Sequence, residues 1–384
     1  MKLGIYCDSS INGGHEEMLK RLMLALVDSA KVDTLHVMVP VTNEPLHRFV
    51  SELARRDPKT RVVGLSYTAE SLSGDLLAFR RMVRSTAVTL RRLDLDKLLI
   101  SQGTIASGLA GLFAARLAKV LTVSYLPLVH NAPKSTSPSD KIKWLIKRLL
   151  YRMPDEFLTL NDHLCNELRA LAPRSRAMTL ENYVDDRFSR STLTKSAARV
   201  SLGLPDDGTY IVAHIGRLNL HQKRQDFLMR AIESHRDSFK RALVLIIGEG
   251  EDADCLKSIV SASAVLTACV RMLGAQEDVL PFIVASDTLV LPSAFEGVPL
   301  VMIEAVLAQR PIVASRVSGL DSYLPDALLF PADDQDAFVA RIFAARDVRI
   351  DELSQDFRRR FSREAFNAQA QTLVERGDAK SGIA

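Results

Sequence analysis

The chain of 384 residues is 47% hydrophobic and 25% charged, the balance of a soluble globular protein, and is too long for one ordinary core. Its net charge of +4 is uneven: residues 1–190 hold 28 Lys and Arg against 20 Asp and Glu, and residues 191–384 hold 22 against 26. With 6% aromatic residues and no base-stacking motif, the basic half points away from nucleic acid and toward phosphate or an anionic membrane surface.

The opening MKLGIYCDSS has too short an apolar run for a leader peptide, and no run of eighteen apolar residues follows. Cys7, Cys165, Cys255 and Cys269 are scattered, which argues against a disulfide framework or a zinc site and fits a reducing cytoplasm. In chain order, Lys2–Cys7, Thr34–Val39, Arg61–Leu65, Lys97–Ile100, Leu121–Tyr125 and Glu156–Leu160 read as short strands rich in β-branched residues. Segments of helical period lie between most of them. Asp94-Leu95-Asp96 matches a metal-binding D-x-D string, but its place before a strand predicts turn or cap residues. In DKIKWLIKRLLYRMP, Ile142, Leu145, Ile146, Leu149 and Leu150 share one helical face, which is predicted to pack on the sheet. Lys141, Trp144, Arg148 and Arg152 share another side.

Residues 182–209 carry no strand-like run and end in a Pro-Asp-Asp-Gly turn. Strand-like runs resume at Tyr210–Ile215, Leu243–Ile247, Val270–Leu273, Thr288–Leu291, Ile312–Ser315 and Ala327–Phe330. This alternation predicts an α/β chain of two Rossmann-like domains with parallel sheets covered on both faces. The boundaries expected are 1–185 for the first domain, 186–209 for a linker, 210–350 for the second domain, and 351–384 for C-terminal helices that pack back on the first.

Open α/β sheets bind ligands beyond the carboxyl ends of their strands. The run YIVAHI ends in Gly216-Arg217, and Lys223 follows before a helical stretch; two cations at one strand end suit a diphosphate. The next strand leads to GEGEDA, whose glycines suit a tight turn with close backbone approach. The acid that a dinucleotide site needs is missing from LTACVRM. In LPSAFEGVPLVMIEAVLAQRPIVAS a strand ends near Pro292, and a helix opens near Pro299. That helix is apolar except for Glu304, about one turn inside, within reach of a ligand lying across its N-terminus. Glu296 sits in the turn, where it could accept hydrogen bonds from sugar hydroxyls. His214 and His36 lie inside strands and read as core histidines.

These pieces resemble the retaining GT-B glycosyltransferases, in particular glycosyltransferase family 4. The resemblance rests on E-x7-E, here Glu296 and Glu304, on GRL followed by Lys223, on the GEG turn, and on ENYVDDRF with Asn182, Asp185 and Phe188. In the first half it rests on INGGHEE, with Gly13, Gly14 and Glu16, and on the strand end before His130. Glycines usual in the family are replaced by Arg224, Gln309 and Tyr183, and Gly319-Leu-Asp-Ser322 lacks the family's Glu.

The resemblance implies a cytoplasmic enzyme with the donor cleft between an acceptor-side first domain and a nucleotide-sugar-binding second domain. It would transfer a hexose from a nucleoside-diphosphate sugar to a glycan or lipid-linked acceptor, as in cell-surface polysaccharide or glycolipid assembly. No cofactor or metal is expected. Arg217 and Lys223 would hold the diphosphate, Glu304 the ribose, and Glu296 with the backbone of Gly297, Val298, Pro299 and Leu300 the donor sugar. Gly13 and Gly14 would let a backbone amide approach the phosphate, and His130 would line the sugar and acceptor side. The alternatives are a sugar-nucleotide epimerase or isomerase on the same fold, or a non-catalytic transferase-like subunit. The basic side of the DKIKWLIKRLLYRMP helix and Arg80, Arg81, Arg84, Arg91 and Arg92 point to contact with the cytoplasmic face of an anionic membrane.

Overall fold

The computed structural model describes residues 1–10, 13–69, 75–129, 137–317 and 319–375. The chain forms two compact units, residues 1–182 with 364–384, and residues 183–363. In the first, strands and helices alternate as β1 (Lys2–Tyr6), α1 (Gly14–Val27), β2 (Thr34–Pro40), α2 (Glu44–Arg56), β3 (Thr60–Leu65), α3 (Leu76–Leu93), β4 (Lys97–Ser101), α4 (Leu109–Ala118), β5 (Leu121–Tyr125), α5 (Pro138–Leu150), β6 (Glu156–Thr159), α6 (Asp162–Leu171) and β7 (Arg176–Thr179). The second holds α7 (Arg187–Arg190), α8 (Lys195–Ser201), β8 (Tyr210–Ile215), α9 (Gln225–Ser234), β9 (Ala242–Ile247), α10 (Ala253–Ser261), α11 (Ala264–Cys269), β10 (Val270–Gly274), α12 (Leu280–Ala285), β11 (Thr288–Leu291), α13 (Leu300–Leu307), β12 (Ile312–Ser315), β13 (Leu329–Phe330), α14 (Gln335–Ala344) and α15 (Asp351–Arg360). A last helix, α16 (Arg363–Glu375), belongs to the first unit almost entirely.

Both sheets are parallel throughout. Their orders are β3-β2-β1-β4-β5-β6-β7 and β10-β9-β8-β11-β12-β13. Every residue of β4, β8, β9 and β11 is buried, because crossover helices cover a parallel sheet on both faces and so demand continuous apolar runs. All twelve expected strands are present. The thirteenth, β7, was hidden by its sequence: Arg176-Ala-Met-Thr179 is an edge strand with one buried residue, Met178.

The stretch expected to be a linker lies inside the second unit, where α8 is pinned by Arg199, which is 3% exposed. Its guanidinium donates to the carbonyl of Ala285 at 3.0 Å and to Asp287 at 2.8 Å, and Asp287 also pairs with Lys195. The C-terminal segment divides: α15 stays with the second unit and α16 returns to the first. There Phe366, Ala370, Leu373 and Val374 are buried. The Leu373 carbonyl accepts from Lys97 Nζ at 3.2 Å, and Lys97 pairs with Glu156 at 3.0 Å.

One expectation fails in the first unit. Most of the apolar face of α5 does not pack on the sheet: Ile142, Leu145, Ile146 and Leu149 are 61, 54, 53 and 58% exposed, while Leu150, half-buried at the end of the helix, packs against the cluster around Tyr151 and Phe157. The first unit's core is closed instead by other elements, with Tyr151, just beyond α5, packing against Ile105, Leu126, Phe157 and Leu168.

Candidate functional site

Strand order reverses between β8 and β11, so the loops after these two strands diverge and leave a crevice at their carboxyl ends. Arg217 and Lys223 follow β8; Glu296, Gly297 and the start of α13 follow β11. Topology therefore gathers at one switch point residues that the sequence separates by more than seventy positions.

The central contact is an ion pair. Lys223 Nζ lies 2.6 Å from Glu296 Oε1, with the two side chains only 14% and 5% exposed. Ser293 Oγ donates to the same oxygen at 2.6 Å. Sequence reading missed this serine; its place at the end of β11, three residues before Glu296, is the only signal it left. The loops are stitched together nearby, since Ala294 N donates to the Gln222 carbonyl at 2.8 Å. Buried in this way, a carboxylate needs compensating donors, and Lys223 and Ser293 supply them.

Arg217 is exposed, and no ion pair within 4 Å is found for it among the described residues. Its backbone is fixed from behind. The fully buried Gln225 donates from Nε2 to the Arg217 carbonyl at 2.9 Å. Gly216, with φ 155°, turns the chain out of β8. Gly248 and Gly250 press against this loop: a Cβ on Gly248 would stand 2.0 Å from the Gly216 carbonyl oxygen, and one on Gly250 would stand 2.3 Å from that of Leu218. The GEG glycines thus serve close backbone approach, as their spacing suggested.

Helix α13 starts after Pro299 and buries Met302, Ile303, Ala305, Val306 and Leu307. Gly297, Val298 and Pro299 are buried, and Leu300 and Glu304 are half-buried. The first backbone N–H groups of a helix lack intrahelical acceptors and present a positive dipole end. Pro299 has no N–H, so Leu300 and Val301 supply those donors. This end of α13 adjoins the Lys223–Glu296 pair through the short turn 296–299.

In the first unit the order reverses between β1 and β4. Gly13, in extended backbone, precedes α1 and donates its N–H to Glu16 Oε2 at 2.9 Å. Gly14 is exposed as the first helical residue. His15 spans the switch point: its Nε2 lies 2.7 Å from Ser101 Oγ at the end of β4, and its ring packs on Tyr125, centroids 4.8 Å apart. Burial pushes its pKa down to about 4, partly opposed by the nearby Glu16 carboxylate. This trio was not singled out from sequence. His130 lies outside the described residues.

The other expected residues stay structural. His214 is fully buried with neither ring nitrogen hydrogen-bonded among the described residues. Burial, helped by the charge of Lys223, pushes its pKa down to about 3. His36 is 9% exposed, and burial likewise lowers its pKa. Asp94 caps α3 and pairs with Lys2 at 3.0 Å, while Asp96 accepts from the Lys2 N–H at 2.8 Å. Among the described residues no group of three or more His, Cys, Asp or Glu is placed to hold a metal ion, and no helix is long and apolar enough to cross a membrane.

The family described as Glycosyl transferases group 1 matches residues 209–345. The 2-deoxystreptamine glucosyltransferase of Streptomyces kanamyceticus is 26% identical over 299 residues, which are 75% of this chain and 73% of that protein. The UDP-Gal:alpha-D-GlcNAc-diphosphoundecaprenol alpha-1,3-galactosyltransferase of Escherichia coli is 24% identical over 256 residues, 64% of this chain and 65% of that one. The solved structure of Anabaena HepE in complex with UDP and glucose has the same fold, with a TM-score of 0.74 at 17% identity, covering 98% of this chain and 100% of the other.

Proposed function

We propose that this GT-B glycosyltransferase, whose second unit carries a Glycosyl transferases group 1 domain, moves a hexose from a nucleoside-diphosphate sugar to a glycan or lipid-linked acceptor with retention at the anomeric carbon. The reaction breaks the bond from the anomeric carbon to the diphosphate and forms one to an acceptor hydroxyl oxygen, whose proton passes to the departing diphosphate. Negative charge then grows on the diphosphate. Preorganised cations at that place lower the barrier without a metal ion.

The observation that carries this reading is the Lys223–Glu296 pair at the switch point of the second sheet. An ammonium has three donors, so Lys223 can keep Glu296 and take a phosphate oxygen. Arg217, exposed at the same strand end, takes a second. The N–H groups of Leu300 and Val301 add to the anion site. Glu296, held by Lys223 and Ser293, accepts from hydroxyls of the donor sugar. Glu304, half-buried one turn into α13, accepts from the ribose.

The names of the two relatives, a glucosyltransferase and a galactosyltransferase, support a hexose donor. The second name, with its diphosphoundecaprenol-linked sugar, supports a lipid-linked acceptor and a place in cell-surface polysaccharide or glycolipid assembly.

The test is a donor panel of UDP-glucose, UDP-galactose and GDP-mannose with wild type and Arg217→Ala, each with and without EDTA. Arg217 is exposed, so its loss leaves the fold intact. Donor affinity should fall about tenfold or more, the worth of a charged hydrogen bond, and chelator should change nothing. Activity that vanishes with EDTA and returns with manganese would overturn the metal-free reading. Conversion of the donor sugar without any acceptor would replace transfer by epimerisation or isomerisation.

A further inference from the structure

We propose that the amino-terminal edge of the first unit's sheet holds an anion site of its own, built for a soluble small molecule that carries two or more phosphate groups. Strands β4, β5, β6 and β7 lie side by side and parallel, so their first residues, Lys97, Leu121, Glu156 and Arg176, stand on one edge. A cavity of 420 Å³ opens there, within the range of small-molecule sites, about 300–1,000 Å³. Three successive helix–strand connections each bring arginine to it: Arg116 from the end of α4, Arg152 from beyond α5, and Arg174 with Arg176 from beyond α6.

The acids of this cavity are already committed. Asp155 accepts from the Thr122 N–H at 2.9 Å and from its Oγ1 at 2.8 Å, and it faces Arg116 at 3.6 Å. Glu156 pairs with Lys97 at 3.0 Å. The guanidiniums of Arg152, Arg174 and Arg176 line the cavity from exposed residues, and no hydrogen bond or ion pair is found for them among the described residues. Helix carboxyl ends attract cations as well, yet the carbonyls beside these arginines have other donors: that of Leu117 accepts from Arg91 at 2.6 Å, and that of Pro154 from Ser175 Oγ at 2.8 Å.

Charge sets the class of ligand. Lys97 and the four arginines face two acids, which leaves an excess of three positive charges. A phosphate monoester carries about −1.5 to −2, so one leaves the cavity positive and two balance it. Each guanidinium fork matches a pair of phosphate oxygens. Open α/β sheets hold their reacting ligands beyond the carboxyl ends, roughly 15 Å away along a strand the length of β4. A ligand at the amino edge therefore acts apart from the chemistry. It ties together the connections that lead into β5, β6 and β7, whose arginines otherwise repel one another, and so steadies the first unit. The site stands whether or not the transferase reading holds.

The test is calorimetric titration of the full chain with fructose 1,6-bisphosphate, orthophosphate and sulfate. It is run on wild type, on Arg152→Ala/Arg174→Ala/Arg176→Ala, and on Arg217→Ala, which separates this site from the anion site of the second unit. The three arginines are exposed, so the fold is kept, and the urea midpoint of the triple variant without ligand should equal that of wild type or exceed it as repulsion falls. Wild type and Arg217→Ala should bind the bisphosphate alike and more tightly than either single anion, and the triple variant should bind it about tenfold more weakly or worse. The bisphosphate should raise the melting temperature of wild type and leave that of the triple variant unmoved. Unchanged bisphosphate affinity in the triple variant would overturn the proposal. So would sulfate bound as tightly as the bisphosphate, the mark of diffuse charge, or a loss of binding in Arg217→Ala alone, which would place the anion in the second unit. Phosphatidylglycerol vesicles held through these arginines, with no soluble compound bound, would overturn it too, since lipid phosphates would then be the ligand.

Discussion

Gln309 and Arg224 hold left-handed backbone, with φ of 59° and 55°, at two places where the resemblance leads one to expect glycine. These two departures from the family pattern are therefore departures in side chain and not in backbone. Gln309 closes α13: its N–H reaches the Val306 carbonyl and that of Arg310 the Ala305 carbonyl, a pairing that favours glycine between them. Gln309→Gly should raise stability by about 0.5–1 kcal/mol, read from the urea midpoint; a fall would mean that the side chain has a packing role. Arg224 offers no such gain, because it also pairs with Asp333 and covers the Phe227 ring. Glu304→Gln should weaken donor binding by about tenfold with the fold unchanged, and calorimetric titration that found equal affinity would remove Glu304 from the ribose. His214 and His15 add a pH response. Both have folded values below the ordinary 6.5, at about 3 and about 4. The unfolded chain thus takes up protons first on acidification. Stability should be level above pH 6.5 and fall between 6.5 and about 4, by up to about 1.4 kcal/mol per pH unit for each histidine. In His214→Gln that slope should be shallower across urea midpoints taken through this range, and an unchanged slope would place the uptake elsewhere.

Among the elements, strands were legible because a parallel sheet buried on both faces leaves a continuous apolar run, as in Ala242–Ile247. Strand β7 was not, since an edge strand has one open side and tolerates Arg176. The amphipathic period of α5 was legible as a period, but periodicity does not say which way an apolar face points. The general expectation that such a face packs on its sheet fails for Ile142 and Leu149. At the site, Arg217, Lys223 and Glu296 stood out by residue type and by their place after strands. Their direct contact was not legible, because Lys223 and Glu296 meet only through the reversal of strand order. The loops that carry them are set by backbone fit. Gly250→Ala places a methyl 2.3 Å from the Leu218 carbonyl oxygen, so the Arg217 loop must move. This variant should lose roughly 1–3 kcal/mol of stability and bind donor more weakly than wild type even below its melting temperature. Normal donor affinity would show that the loop's position does not matter.

At the scale of the whole molecule, the chain leaves the first unit after Asn182, builds the second from Tyr183 to Arg363, and returns. The return is structural: α16 lays Leu373, fully buried, into the first unit and gives its carbonyl to Lys97. Leu373→Ala should cost about 2–5 kcal/mol and act on one unit. Calorimetry of the variant should show one transition shifted down and the other unmoved, while two equal shifts would mean that the units melt together. This plan also bears on the order of events at the ribosome. Residues 183–363 are contiguous, so the second unit can finish as soon as it emerges. The first, begun earlier, lacks its closing helix until α16 is made. At about 5–20 residues per second that wait is about ten to forty seconds, during which the surface that Leu373 covers stays open. The half of the protein that is synthesised first is thus the half completed last, and it is the one for which a chaperone has most to do.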